Sequence, residues 1–316
     1  MNTSQDIAQA LLQKHAGMLA GEPRTQNLIA QDRDAGWDVE HAGVLQACRW
    51  LGFLEADAQC VAYAWQKQTQ RTGHFSLDDW PSLAQDFGIP SGARENAFAS
   101  CPRDLGLYAV LPDAQWVNRL AQAGIKTLQL RFKSDDQDAI RAEVRRAIEA
   151  VHGTDSLLFI NDHWQIAIEE GAYGVHLGQE DMNDAPLEQL RQAGLRLGLS
   201  THGYAEMIRA DAASPSYMAL GAIFPTTLKQ MQTAPQGLSR LNAYARLMQH
   251  HALVAIGGID EARMPAVMQS GVGSIAVVRA ITGASHPEQT AKALQILIGN
   301  LQKTARPSQN DLKNIL

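Results

Sequence analysis

The stretch that decides the fold covers residues 127–162. It holds two short apolar runs, TLQLRFK (127–133) and SLLFIND (156–162), on either side of DAIRAEVRRAIEAVH (138–152). The middle piece carries apolar residues at helical spacing, whereas the outer pieces have the length and apolar content of buried strands. A strand, a helix and a second strand in this order predict a βαβ unit with parallel strands.

The same alternation extends in both directions from this unit. Eight apolar runs occur in all: LGLYAVL (105–111), TLQLRFK, SLLFIND, YGVHLG (173–178), RLGLSTH (196–202), YMALGAIF (217–224), ALVAIGGI (252–259) and SIAVVRAI (274–281). Eight strand–helix units in about 200 residues predict an α/β protein with a closed (β/α)8 TIM barrel. The alternative is an open doubly wound sheet, but no G-x-G-x-x-G motif follows the first run.

The first 100 residues have a different pattern. HAGVLQACRWLGFL (41–54) and ADAQCVAYAWQKQTQ (56–70) carry apolar residues at helical spacing, and this region holds four of the six tryptophans. We predict a small helical N-terminal region (1–100) that packs Trp50 and Trp65 against the barrel or a partner chain. A Gly-, Pro- and Ser-containing linker leads from it to the barrel (103–300), and a polar tail (301–316) follows.

Composition and charge exclude several classes of protein. The chain is 45% hydrophobic and 19% charged with a net charge of −6, which does not favour binding to nucleic acid or acidic membranes. No apolar run approaches the ~20 residues of a membrane span, and the N-terminus lacks the pattern of an export signal. Cys48, Cys60 and Cys101 have no metal-like spacing, so we expect reduced thiols in a cytoplasmic protein. The sequence leaves open whether the chain forms a homo-oligomer.

Polar residues occur where the predicted strands end. Gln129, Arg131 and Lys133 share one face of their strand, because alternate side chains of a strand point the same way. The later strands are followed in turn by Asn161 and Asp162; Gln179, Glu180 and Asp181; Ser200, Thr201 and His202; Thr226, Thr227 and Lys229; and Gly257 and Gly258. Since active sites of such barrels lie at the C-terminal ends of the strands, these residues predict one polar mouth.

The chemistry of this mouth suggests two anion sites. Asp162 and Asp181 are suitable ligands for Mg²⁺, and the cations Arg131, Lys133 and Lys229 beside them predict a diphosphate. The last two strands add the glycine-containing stretches AIGGI (255–259) and GVGSIAVVRAI (271–281). Barrels often bind a single phosphate at that position, so a separate monophosphate site is expected.

Simpler interpretations stay open for individual residues. Asp162 could cap the helix that follows it, and Gly257 with Gly258 could merely permit a tight turn. Thr226 and Thr227 could be ordinary turn residues. The histidines also have simple interpretations: His176 is expected in the core, and the pair His250 and His251 is expected on the surface because no partner lies at metal spacing. His202 is ambiguous.

The residues of the mouth carry a resemblance to a known family. LQLRFK (128–133), LFINDHWQIAIEEGAYGVHLGQEDM (158–182), LRLGLSTH (195–202), GAIFPTTLKQMQTAPQGL (221–238), VAIGGI (254–259) and GVGSIAVV (271–278) resemble thiamine-phosphate synthase over about residues 103–300. The resemblance implies a (β/α)8 barrel that uses Mg²⁺. It also implies a transferase that joins hydroxymethylpyrimidine diphosphate to hydroxyethylthiazole phosphate, which are one diphosphate and one monophosphate.

The resemblance also implies roles for individual positions. Gln129, Arg131, Lys133 and Asn161 match residues that bind the pyrimidine diphosphate, Asp162 and Asp181 match the Mg²⁺ ligands, Ser200 matches a pyrimidine contact and Lys229 a diphosphate contact. Thr226, Thr227 and Leu228 match the loop for the thiazole phosphate, and Gly258, Val278 and Arg279 match the cup around it. Two positions depart from the family pattern: Leu228 stands where a threonine is frequent, and Arg279 where a serine is frequent.

Two other functional classes remain as alternatives. A related thiazole tautomerase would use acid–base chemistry, for which His202 is a candidate, and would need neither Mg²⁺ nor a diphosphate site. A non-catalytic barrel that binds thiamin precursors is the second. The first 100 residues show no phosphate loop and no catalytic cluster.

Overall fold

The barrel predicted from the sequence is present. A computed structural model of the chain describes residues 3–21, 38–92, 94–226 and 233–305. Eight parallel strands form a closed barrel in chain order, with β8 paired to β1. They are β1 Gly106–Leu111, β2 Thr127–Leu130, β3 Leu157–Asn161, β4 Gly174–Leu177, β5 Arg196–Thr201, β6 Tyr217–Leu220, β7 Leu253–Ile256 and β8 Ser274–Val277.

The strands are mostly apolar because both of their faces are buried. On β3, Leu158 and Ile160 join the large cluster between sheet and helices, whereas Phe159 between them points into the barrel interior. Tyr108 and Tyr217 share this interior with Phe159, and the ring centroids of Phe159 and Tyr217 lie 5.1 Å apart. The inside of the barrel is therefore a packed aromatic core, as expected for eight strands.

Helices follow the strands and cover the outside of the barrel. They are α4 Ala114–Gln122, α5 Gln137–Val151, α6 Trp164–Glu169, α7 Asp181–Asp184, α8 Leu187–Gln192, α9 Tyr204–Ala213, α10 Gly237–Leu247, α11 Met264–Met268, α12 Arg279–Thr282 and α13 Pro287–Ala305. Helix α5 shows why they form: Asp136 caps its first turn, and Ile140, Val144 and Ala147 make one buried stripe. Helix α13 extends past residue 300, where the sequence led us to end the barrel.

Among the described residues, three α-helices precede the barrel: α1 Ser4–Lys14, α2 Val39–Trp50 and α3 Glu55–Thr72. Their core is aromatic, since Trp65 packs edge-on against Trp80 at 5.5 Å between centroids and also contacts His15 and Phe75. Trp80 also reaches the barrel, where its Nε1 donates a 2.9 Å hydrogen bond to the hydroxyl of Tyr204 on α9. Within the described ranges, no helix is long and apolar enough to cross a membrane.

His250 is exposed, as expected, but His251 is largely buried, and both imidazoles have a partner that the sequence did not indicate. Their Nε2 atoms lie 2.9 and 2.8 Å from Oδ1 of the buried Asp211, and Arg94 pairs with Oδ2 of the same carboxylate. Burial alone would raise the pKa of Asp211, but the two imidazoles and the charge of Arg94 hold it well below its ordinary value. This network joins the linker, the end of α9 and the turn before β7, and one carboxylate satisfies all three partners.

Candidate active site

A cavity of about 760 Å³ opens at the C-terminal ends of the strands. Most of the residues predicted from the sequence line it: Gln129, Arg131, Lys133, Asn161, Asp162, Asp181, Ser200, Thr226, Gly258, Val278 and Arg279. The other three predicted residues, Thr227, Leu228 and Lys229, lie outside the described residues. The closed barrel thus brings residues that are more than 100 positions apart in the sequence to one cavity.

One wall of the cavity carries two neighbouring carboxylates and a lysine. Lys133 Nζ lies 2.5 Å from Asp162 Oδ2, and the backbone N–H of Gly178 donates to Asp181 Oδ2 at 3.1 Å. Burial and the nearby charge of Asp162 raise the pKa of Asp181. A carboxylate whose charge is disfavoured by burial and by a neighbouring carboxylate is a place where a cation is stabilising. The hard oxygen donors suit Mg²⁺.

The backbone at Asp162 is unusual for a residue with a side chain. Its φ is 64°, in the left-handed region, which aspartate tolerates better than most residues but which still carries strain. Helix α6 begins after His163, and no side chain caps it. Asp162 therefore does not act as the helix cap considered from the sequence. Its carboxylate turns to Lys133 instead.

A chain of hydrogen bonds runs through the barrel beneath the cavity. Gln129 Nε2 donates to the Tyr108 hydroxyl at 3.0 Å, and the hydroxyls of Tyr108 and Tyr217 are 2.7 Å apart. His176 continues the chain, with Nδ1 2.7 Å from the Tyr217 hydroxyl and Nε2 2.8 Å from Ser200 Oγ. Two cavity residues on different strands, Gln129 and Ser200, are thus fixed through three buried rings.

Most of the residues in this chain of hydrogen bonds were not predicted from the sequence. Tyr108 and Tyr217 are fully buried, and burial raises the pKa of both phenols far above the neutral range, so they act as neutral hydroxyls. His176 is buried as expected, but it also borders the cavity. The signal available in the sequence was a tyrosine at an inward-facing position on each of β1 and β6, because buried tyrosines usually find a hydrogen-bond partner.

The glycines after β7 serve the turn and also the cavity. Gly257 has a φ of 104° and Gly258 a φ of 63°, which L-residues with side chains rarely adopt. A Cβ atom on Gly258 would also lie 2.5 Å from the carbonyl oxygen of Pro225. The tight-turn interpretation is therefore correct, and the same turn brings the backbone to the cavity surface.

Further charged groups at the rim were not singled out from the sequence. Arg263 donates to the carbonyl of Gly258 at 2.6 Å, and its guanidinium lies 4.7 Å from the ring centroid of Phe224. His202, the candidate acid–base residue of the tautomerase alternative, also lines the cavity, and its Nδ1 lies 2.7 Å from Glu206 Oε2. The rim thus contains the cations Arg131, Lys133, Arg263 and Arg279, which follow three different strands.

A parallel (β/α)8 barrel with cations and paired carboxylates at its strand ends defines a phosphate-handling enzyme of the TIM-barrel class. A family model described as thiamine monophosphate synthase matches residues 107–281. This match covers more than half of the chain, and the chain belongs to that family.

Individual relatives agree with the family assignment. The chain is 54% identical over 193 residues to the thiamine-phosphate synthase of Neisseria meningitidis serogroup A, and the match covers 61% of this chain and 94% of that protein. It is 50% identical over 200 residues to the thiamine-phosphate synthase of Escherichia coli O6:H1, covering 63% and 95%. Among solved structures, thiamine phosphate pyrophosphorylase from Pyrococcus furiosus matches with a TM-score of 0.56 and 26% identity, covering 63% of this chain and 98% of that chain.

The matches also show that this chain has an N-terminal region in addition to the barrel that it shares with its relatives. Because the matched part makes up 94% of the Neisseria protein, that protein has no room for a counterpart of α1 to α3. The family match likewise begins at residue 107, at the start of the barrel.

Proposed function

We propose that this protein joins 4-amino-5-hydroxymethyl-2-methylpyrimidine diphosphate to 4-methyl-5-(2-phosphooxyethyl)thiazole, giving thiamine phosphate and pyrophosphate. The observation that carries the proposal is the meeting of Lys133, Asp162 and Asp181 on one cavity wall that Arg131 also lines. This arrangement suits a diphosphate leaving group. Membership of the family and the names of the relatives support the same reaction.

The carboxylate pair fits a divalent cation. Burial and the charge of Asp162 raise the pKa of Asp181, so a cation between the two groups would relieve an unfavourable interaction. We propose that Asp162 and Asp181 hold Mg²⁺. When bound there, the ion would supply positive charge to the leaving diphosphate.

The reaction needs no nucleophile from the protein. The amino group of the pyrimidine pushes electrons toward the exocyclic carbon, and the C–O bond to the diphosphate breaks with its electron pair on oxygen. The thiazole nitrogen then forms the new C–N bond. Arg131, Lys133 and Lys229 stabilise the charge that develops on the diphosphate, a preorganised electrostatic contribution of several kcal/mol in aggregate.

The remaining cavity residues orient the substrates. Gln129, Asn161 and Ser200 would contact the pyrimidine, and the hydrogen-bonded chain below the cavity keeps Gln129 and Ser200 in place. On the opposite side, Thr226, Gly258, Val278 and Arg279 would surround the thiazole phosphate. Thr227 and Leu228 complete this proposed set, as does Lys229 on the diphosphate side.

A single assay tests the proposal. The full chain is incubated with both substrates and Mg²⁺, and thiamine phosphate and pyrophosphate are measured, with each substrate omitted in turn. Equal amounts of both products, formed only when both substrates are present, are expected. Rearrangement of a thiazole without the pyrimidine would instead indicate a tautomerase, and tight binding without turnover a non-catalytic protein. We also propose a cytoplasmic location, where unpaired cysteines such as Cys48, Cys60 and Cys101 stay reduced.

A further inference from the structure

The N-terminal helices contact the barrel at two helices that begin beside the cavity. Helix α9 follows β5, whose last residues Ser200 and Thr201 line the cavity together with His202. Helix α10 comes after β6, and residues 221–222 and 225–226 that directly follow β6 also line the cavity. A contact that fixes the start of α9 or α10 therefore acts on the cavity wall as well as on the outside of the barrel.

Arg240 on α10 makes the first of these contacts. Its Nε donates to the carbonyl of Met18 and its Nη2 to the carbonyl of Leu51, both at 2.8 Å. The guanidinium also lies 3.6 Å from the ring centroid of Phe53. Arg240 is only 3% exposed, so a buried charge from the barrel is satisfied by backbone oxygens and an aromatic face of the N-terminal region.

The same guanidinium holds the base of the β6 loop. Arg240 Nη1 donates to Gln236 Oε1 at 3.1 Å, and Gln236 is 2% exposed. The backbone N–H of Gln236 donates to the carbonyl of Ala222 at 2.9 Å, and that of Gly237 donates to Ile223 at 2.9 Å. Arg240 thus connects the N-terminal helices to the residues just before Pro225 and Thr226, on the side of the cavity assigned to the thiazole phosphate.

Asp57 on α3 makes the second contact. Its Oδ1 accepts a 2.9 Å hydrogen bond from the backbone N–H of Ala205 in the first turn of α9. The residue at the cap position of α9 is Gly203, which has no side chain to do this. A Cβ on Gly203 would lie 2.1 Å from Asp57 Oδ2, so glycine makes room for the carboxylate. A helix of the barrel is therefore capped by a residue of the N-terminal region.

From these contacts we infer that α1 to α3 are an internal support for the active site, and that Asp57 and Arg240 are positioning residues. Asp57 fixes the start of α9 next to the end of β5, where Ser200 faces the pyrimidine. Arg240 fixes the described residues 221–226 after β6, which face the thiazole phosphate. The inference rests on the proposed function for the identity of the two substrates. The family relatives described above lack these helices, so the support is a property of this chain.

Steady-state kinetics on the full chain separate the two contacts. Arg240→Met is expected to raise the KM for the thiazole phosphate about fivefold, with the KM for the pyrimidine diphosphate unchanged. Asp57→Ala is expected to raise the KM for the pyrimidine diphosphate about fivefold and to leave the KM for the thiazole phosphate unchanged. Asp57→Asn keeps a side-chain oxygen that accepts from Ala205 and should restore most of the wild-type KM. If Arg240→Met does not fold, the same KM values are measured for Arg240→Lys, which retains the charge.

Arg49 offers a matched control. It is a second buried arginine, and it donates to Glu55 at 2.9 and 2.8 Å within the N-terminal helices. Arg49→Met should lower the thermal stability to a similar extent and leave both KM values unchanged. If folded Arg240 and Asp57 variants keep wild-type KM values, or if Arg49→Met shifts them equally, the helices only stabilise the fold and the inference is wrong.

Hydrogen–deuterium exchange tests the support by the N-terminal helices independently of the proposed function. Backbone amides of residues 221–226 and 233–237 should exchange faster in Arg240→Met but not in Arg49→Met, whatever the substrates are. Failure of the wild-type chain to form thiamine phosphate would overturn the proposed function and leave this comparison intact. Equal exchange in both variants would overturn the support by the N-terminal helices.

Discussion

His176 and Tyr217 are joined inside the barrel by a 2.7 Å hydrogen bond between imidazole Nδ1 and phenol oxygen. Tyr217 fits there because its neighbour on β5 is Gly198, where a Cβ would lie 2.1 Å from the phenol ring. Since burial keeps the phenol neutral, it is a fixed dipole between the Gln129 side and the Ser200 side of the cavity. Gln129 and Ser200, the two proposed pyrimidine contacts, are thereby connected through the same phenol.

Removing the Tyr217 hydroxyl should make the side chains of Gln129 and Ser200 less well fixed. In Tyr217→Phe the ring stays packed against Phe159, but Tyr108 and His176 each lose a partner. We expect kcat/KM for the pyrimidine diphosphate to fall about tenfold, which corresponds to about 1.4 kcal/mol and to the loss of one buried hydrogen bond. Tyr173→Phe, on the edge of the same aromatic core, is the matched control and should keep wild-type kinetics. Unchanged kcat/KM in Tyr217→Phe would show that the hydrogen bonds between Gln129 and Ser200 do not orient the substrate.

The carboxylate pair predicts a large effect on turnover. Asp162→Ala removes one of two carboxylates and leaves Lys133 without its 2.5 Å partner. We expect turnover to fall roughly 10²-fold, the scale of one lost preorganised charge contact, and the Mg²⁺ concentration for half-maximal rate to rise. Lys229→Ala is expected to lower turnover to a similar extent. Asp184→Ala, an exposed carboxylate at the end of α7, should leave both quantities unchanged. Near wild-type turnover of Asp162→Ala at saturating Mg²⁺ would contradict the assignment.

The positions of the strands and the cavity residues could be predicted because they follow local rules. Strand and helix alternate in the sequence, and polar residues at strand ends of a parallel barrel converge at one face whatever the details of packing. Gln129 and Arg131 line the cavity for this reason alone. The aspartates and the glycine turn after β7 follow the same logic.

Contacts between distant parts of the chain could not be predicted in this way. Tyr108 and Tyr217 are 109 positions apart, and their hydroxyls meet only because of the strand register. Arg240 and Met18 are 222 positions apart, and no spacing rule connects a helix of the barrel to the N-terminal region. No partner of His250 and His251 was evident in the sequence because Asp211 lies on α9, 39 and 40 positions earlier. Such pairs depend on tertiary packing, which a single sequence does not display.

Arg279 offers a test of one departure from the family pattern. This exposed arginine adds a positive charge at the rim of the cavity, at a position where the family resemblance implies a serine. Exposed charge pairs contribute at most about 1 kcal/mol, so Arg279→Ser should raise the KM for the thiazole phosphate by no more than about fivefold. The effect should diminish at high salt, because the pair is screened. Lys303→Ser on α13, far along the chain from the cavity residues, is the control. A lower KM in Arg279→Ser would mean that the arginine crowds the phosphate.

The Asp211 network predicts how stability depends on pH. Burial lowers the pKa of His251 below its ordinary value, and the neighbouring charges come from Arg94, Asp211 and His250. A histidine with a lowered folded-state pKa is kept neutral by folding, so its contribution is present above the unfolded pKa of about 6.5 and is lost as the pH falls through the folded pKa. The free energy of unfolding should therefore decrease below pH 6.5, by at most about 1.4 kcal/mol per pH unit from this group.

His251→Gln isolates this contribution, since glutamine retains a donor for Asp211 but does not titrate. Chemical denaturation of the wild type and the variant between pH 5 and 8 should show a flatter profile for His251→Gln below pH 6.5, because its folded and unfolded states then bind the same number of protons at this position. His152→Gln, at an exposed histidine after α5, should keep the wild-type slope. Parallel profiles for wild type and His251→Gln would show that another group sets the acid sensitivity of the fold.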